Sequence, residues 1–116
     1  ALNSESELKL ENGFAAFTKD FFDNGAYVIE NNQTHEVSLR DPEGKNYLNV
    51  YFPEAPLFGL WSAEKKNAPY AAIEPWFGRC DKEDFNGSLE EREWGHALAQ
   101  GACFQAAYTI EIAGED

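Results

Sequence analysis

Positive charge is scarce in this chain. Nine Lys and Arg stand against 21 Asp and Glu in 116 residues, a formal charge of −12. A field of that sign repels a phosphate backbone, and no basic cluster overrides it, so nucleic acid is an unfavourable partner. An anionic membrane surface is disfavoured for the same reason. No apolar run approaches the roughly 20 residues of a spanning helix, so no membrane partner is expected. Cysteine is also sparse: Cys80 and Cys103 are the whole inventory. The count allows one disulfide, but nothing else resembles a secreted disulfide scaffold, and neither residue sits in a Cys-x-x-Cys or Cys/His arrangement suited to zinc. Both are expected as reduced thiols of a cytoplasmic protein. The acidic clusters Asp81-Lys82-Glu83-Asp84 and Glu90-Glu91 lack the alternating ligands and closing Glu of a calcium loop, so no metal is expected. No signal peptide is visible. The chain begins Ala1-Leu2-Asn3-Ser4 without Met, and its native N-terminus is expected further upstream.

Apolar residues, by contrast, make up 43% and aromatics 15%, enough for one modest domain over residues 1–116 or for the C-terminal portion of a larger one. Most of the aromatics are expected in the core, where a sandwich needs them to fill the space between its sheets. The dominant pattern has period two. Val37 and Leu39 alternate with Glu36, Ser38 and Arg40. Asp41-Pro42-Glu43-Gly44 then reverses the chain, and Leu48, Val50 and Phe52 alternate with Tyr47, Asn49 and Tyr51, which predicts a hairpin. A longer alternation runs from Phe104 through Ala106, Tyr108 and Ile110 to Ile112, predicting a last strand after the turn at Gly101. Tyr27-Val28-Ile29 follows an Asn24-Gly25 reversal. Phe58–Trp61 and Tyr70–Ile73 are expected as two further strands. Ser88 and Glu91 have capping-box spacing, but Gly95 follows closely, so at most one short helical turn is expected. The whole predicts an all-β fold, an antiparallel β-sandwich or barrel.

The stretch that carries chemistry runs from Leu57 to Asp81. Glu74 is expected at the end of an apolar strand, flanked by Ile73, Pro75, Trp76 and Phe77. Pro75 holds the preceding residue extended. A carboxylate among apolar neighbours loses hydration, which favours its protonated form and suits a general base near neutral pH. The competing reading is a solvated Glu at a strand end, or one paired with Arg79. Trp61 and Trp76 have rings able to stack on a pyranose or to pack in the core. Arg79 and Asp81 are able to hydrogen-bond sugar hydroxyls or to form a loop ion pair. His35 and His96 sit in contexts expected to be structural or solvated.

Residues 20–112 resemble the C-terminal half of aldose 1-epimerase-like (galactose mutarotase-like) proteins, of the subgroup found beside bacterial sugar operons. The likeness is carried by Phe22-Asp23-Asn24-Gly25-Ala26, by Leu57-Phe58-Gly59-Leu60-Trp61-Ser62, by Leu98-Ala99-Gln100-Gly101-Ala102-Cys103-Phe104 and above all by Ile73-Glu74-Pro75-Trp76-Phe77-Gly78-Arg79-Cys80-Asp81. The resemblance implies a supersandwich fold of which this chain is the C-terminal part. It implies Glu74 as general base for interconverting the α and β anomers of a free aldose such as glucose or galactose, with no cofactor. It also implies that the His acid lies in an N-terminal half absent here, supplied by the same or another chain. Where relatives often carry Asp after Asn, this chain has Gly25, so a sugar-holding role there is lost or passes to Asp23. Two alternatives stand beside this: a non-catalytic carbohydrate-binding sandwich, and a structural unit that buries its sheet edges against a partner, a homo-oligomer included.

Overall fold

Two short antiparallel sheets of three strands each make up the regular structure of residues 2–113, which are those described by the computed structural model. In chain order the strands are β1 (Tyr27–Ile29), β2 (Glu36–Arg40), β3 (Asn46–Tyr51), β4 (Leu57–Trp61), β5 (Ala72–Trp76) and β6 (Thr109–Ile112). One sheet has the order β1-β4-β5 and the other β2-β3-β6. The expected all-β, sandwich-like architecture is therefore present. The capping-box segment forms a single 3₁₀ turn at Leu89–Glu91, with the Ser88 N–H donating to the Glu91 carboxylate at 2.7 Å.

The β2–β3 hairpin forms where the alternation and the Pro-Gly turn predict it. Asp41 Oδ1 accepts the backbone N–H groups of Glu43 at 3.0 Å and Lys45 at 2.8 Å, and Gly44 takes the positive φ of 85° that closes the turn. Register then puts Val37 opposite Val50 and Leu39 opposite Leu48, all directed inward. From the other sheet, Tyr27, Ile29, Phe58, Leu60 and Ile73 point at the same layer. Phe52 fills its centre with no exposed surface, its ring centroid 5.3 Å from that of Phe58. Burying a side chain of this size stabilises the fold by about 1.5–3 kcal/mol. His35 proves structural, as expected: its Nδ1 lies 3.0 Å from the Phe52 carbonyl and holds the end of the hairpin.

Two strands differ from expectation. The strand predicted at Tyr70–Ile73 starts two residues later and ends three later, so Glu74 and Pro75 are inside β5 rather than beyond it. Proline is tolerated there because β5 is an edge strand with an open side that needs no donor. The last strand is shorter than its alternation. Only Thr109–Ile112 pair, opposite Tyr51–Leu48 of β3. Extending that ladder backwards would set residue 107 opposite Pro53, which has no N–H to give, and β3 has already ended. Residues 103–108 have no regular structure, and everything from Gly95 to Ile112 is exposed. Ile110 and Ile112 face the same way as Val50 and Leu48, yet they are 56% and 73% exposed. The β1-β4-β5 sheet does not reach over them. The molecule is correspondingly open: its radius of gyration is 16.5 Å, against about 13 Å for a compact chain of this size.

Candidate functional site

Strand alternation puts Glu74 and Trp76 on the outer face of β1-β4-β5, since Ile73, the residue before Glu74, points into the core. Glu74 is half-buried and lies opposite Gly59 of β4, which in turn lies opposite Val28 of β1. The glycine is required by what lies on it. A Cβ at residue 59 would sit 2.6 Å from Cζ2 of Trp76, so the indole occupies the space a side chain would take. From there the indole Nε1–H donates to Glu74 Oε2 at 3.1 Å. The carboxylate is thus held by a ring from its own strand, which in turn is seated on the neighbouring strand.

Trp61 shares this face, because its register partner Ala72 and the Gly59–Glu74 pair lie two residues apart. Its ring is 37% exposed and packs 6.0 Å from that of Tyr70. Three of the residues picked out by sequence, Glu74, Trp76 and Trp61, therefore stand together on one open face.

Arg79 and Asp81 are engaged elsewhere. The Arg79 side chain is 1% exposed; its Nε donates to Glu30 Oε2 at 2.6 Å, and its Nη2 donates to Glu93. The Trp94 indole N–H donates to the same Glu30 oxygen at 3.1 Å. The hydrogen bond that Arg79 donates to Glu30 raises the pKa of its guanidinium, partly opposed by burial. The hydrogen bond from Arg79, with Lys82 nearby, holds the Glu93 carboxyl below the usual carboxylate range. Asp81 accepts from Arg92 Nε at 2.7 Å, and Arg92 Nη2 also donates to the Arg79 carbonyl. This network clamps the loop after β5 onto the end of β1. Nothing local in the sequence points to it, since Glu30 and Arg79 are 49 positions apart. His96 belongs to the same loop region, its ring against the Phe77 carbonyl and 5.3 Å from Phe104. An open, mainly apolar cleft of about 660 Å³ runs past this end of β5, lined by Val28, Pro75, Trp76, Phe77 and Arg79 among others.

Asp23 lies apart from both. It follows the aromatic cluster of Phe17, Phe21, Phe22 and Tyr27, where the Tyr27 hydroxyl donates to the Phe21 carbonyl at 2.6 Å. Together with Ser62, Lys65 and Tyr70 it borders a second cleft, of about 250 Å³, at the loop that joins β4 to β5. Gly25 adopts a φ of 93°, a left-handed conformation that glycine takes without strain. Both cysteines are free and exposed. Among the described residues no group of three His, Cys, Asp or Glu is placed to hold a metal ion, and no helix is long and apolar enough to cross a membrane.

Two proteins of Lactococcus lactis subsp. lactis, chromosomal LacX and plasmid LacX, are each 27% identical to this chain over 88 residues. The likeness is partial. The match covers 76% of this chain and 27% of each LacX protein, so the chain spans about a quarter of the length of the curated relatives it matches. No family model matches the chain, and no solved structure matches it.

Proposed function

We propose that this chain is the Glu74-bearing, C-terminal portion of an aldose 1-epimerase-like enzyme that interconverts the α and β anomers of a free aldose. The observation that carries the proposal is the setting of Glu74: a half-buried carboxylate on an open sheet face, oriented by the Trp76 N–H, with the Trp61 ring on the same face. The Ile73-Glu74-Pro75-Trp76 resemblance and the likeness to the LacX proteins over three quarters of the chain support it.

In this reading the Glu74 carboxylate takes the proton of the anomeric hydroxyl while an acid protonates the ring oxygen. The C1–O5 bond breaks and the open aldehyde forms. Rotation about the first carbon–carbon bond and reclosure on the other face give the second anomer. Each positioned group contributes about 10²–10⁴-fold to the rate. The acid belongs to polypeptide beyond these residues, in the same or another chain, because His35 and His96 are both held against backbone carbonyls, those of Phe52 and Phe77. Polarimetry of freshly dissolved α-glucose or α-galactose is the test. The full-length protein accelerates mutarotation, Glu74→Gln lowers its kcat by about 10²-fold or more, and the 116-residue chain alone adds little. Undiminished turnover in Glu74→Gln would refute the assignment.

A second reading is favoured by one observation. Trp61 and Tyr70 form an exposed aromatic pair of the kind that sugars stack on. A non-catalytic carbohydrate-binding sandwich would keep its sugar affinity in Glu74→Gln and lose it in Trp61→Ala.

A further inference from the structure

The two oxygens of Glu74 are not equivalent. Oε2 accepts the Trp76 indole N–H at 3.1 Å, which leaves Oε1 as the oxygen that ring does not engage. What fixes the ring is on another strand. Gly59 lies opposite Glu74 in the β4–β5 register, and the benzo part of the indole lies over it. A Cβ at residue 59 would come within 2.6 Å of Cζ2, 2.9 Å of Cε2 and 3.1 Å of Cη2. Glycine is the residue that permits so close an approach. Cε2 is bonded directly to Nε1, so a ring pushed off Gly59 carries its donor with it, away from Oε2.

The surroundings of the carboxylate are one-sided as well. Trp76 is two residues further along β5, and its ring covers the position directly across from Glu74. Two residues back on the same face stands Ala72, whose side chain is a single methyl and whose partner across the strand is Trp61. The indole therefore closes one side of Glu74, and the other side opens toward the exposed Trp61–Tyr70 pair. Pro75 stands between Glu74 and Trp76; its ring fixes its own φ and keeps Glu74 extended. An unsupported Glu side chain samples several staggered rotamers, whereas a charge-assisted hydrogen bond, roughly twice as strong as a neutral one, selects one of them.

We infer that Trp76 and Gly59 are positioning residues of the reaction: Trp76 holds Oε2 so that Oε1 is the oxygen that takes the anomeric proton, and Gly59 is the seat that keeps the indole in place. The inference rests on the reading of Glu74 as general base. It goes beyond that reading in assigning the proton transfer to one oxygen, and in making the rate depend on a neighbouring strand through a residue that has no side chain. The sugar is admitted from the side of Ala72 and Trp61.

Steady-state polarimetry of the full-length protein, with freshly dissolved α-glucose or α-galactose, tests it with two substitutions and their combination. Trp76→Phe keeps a ring over Gly59 and removes the donor. Gly59→Ala keeps the donor and displaces the ring. Each is expected to lower kcat at least about tenfold, the scale of one hydrogen bond lost to a charged group and of a slight misplacement of a reacting group. KM is expected to stay within about twofold, because the sugar does not touch the hydrogen bond that is lost. The combined variant is expected to lose no more than the larger single loss, since both substitutions act through the same bond. Proton NMR spectra verify that the variants are folded, and Trp76→Phe decides the question alone if Gly59→Ala is not. Losses that multiply in the combined variant would overturn the inference, as would a raised KM with kcat unchanged, which marks packing or sugar binding instead. Full turnover in Trp76→Phe beside an inactive Glu74→Gln also overturns it, while the base assignment stands. Turnover retained in Glu74→Gln removes that assignment and this inference together.

Discussion

The closed middle of the molecule and its β6 edge treat the same kind of residue in opposite ways. In the middle of the molecule Val50, Phe52, Phe58 and Leu60 are closed between the sheets. One strand further along, Ile110 and Ile112 continue the same face of the same sheet and stand in solvent. The side chains are equally apolar, so the difference lies in what is opposite them. β1-β4-β5 ends at β5, an edge strand carrying Pro75, and nothing among the described residues extends that sheet over β6. β6 is held instead through its polar side: Asn49 Nδ2 and the Tyr51 hydroxyl donate to Glu111 Oε1 at 2.6 and 3.3 Å. Partial burial, then the carboxylates of Glu111 and Glu36, push the Tyr51 phenol up. Strand pairing can thus be specified by a polar row even where the apolar row is unsatisfied.

The closed region should break hardest. Phe52→Ala is expected to cost about 3–5 kcal/mol in urea denaturation, because its neighbours fill its place only partly. Gly59→Ala should cost about 1–3 kcal/mol, since the new methyl displaces the Trp76 ring. Trp76 fluorescence should shift with it, because the bond to Glu74 is lost. An unchanged spectrum would mean that the ring is not seated on Gly59. Ile112→Ala in this chain should stay within about 0.5 kcal/mol, as for other exposed positions. In a longer polypeptide that covers β6, the same substitution should cost about 2–5 kcal/mol, so its value reports directly whether the open face is closed there.

The smallest effect expected is on acid stability, and it concerns Glu93. Its folded-state pKa is lowered, chiefly by Arg79. The contribution to stability is therefore fully present above the ordinary Glu pKa and lost as pH falls through the lowered folded value. Acid titration followed by circular dichroism should show a shallower stability loss in Glu93→Gln than in the parent. Because Glu93 is half exposed, its side chain 51% accessible, the difference should also shrink with added salt.

Much of this fold was legible because it is written locally. The alternation of Val37 to Phe52 and the Asp-Pro-Glu-Gly turn specify a hairpin without reference to anything distant. The placing of Glu74 and Trp76 on one face needs only the two-residue spacing, but their hydrogen bond also needs Gly59 of the neighbouring strand, on which the indole is seated. The length of the last strand was not legible: residues 104–108 alternate as a strand does, but the neighbour they would pair with has already run into Pro53. The site was legible only in part. From its neighbours Arg79 reads equally as a sugar ligand or a loop ion pair, and its partners Glu30 and Glu93 lie 49 and 14 positions away.

By itself, then, the sequence determined the class of fold, the hairpin and the absence of a basic cluster, since periodicity and composition are properties of neighbouring residues. The tertiary structure alone decided which apolar faces are covered and which loop the Arg79 network holds down. Those outcomes depend on register and on which sheet ends where, and both are settled by contacts between residues far apart in the chain.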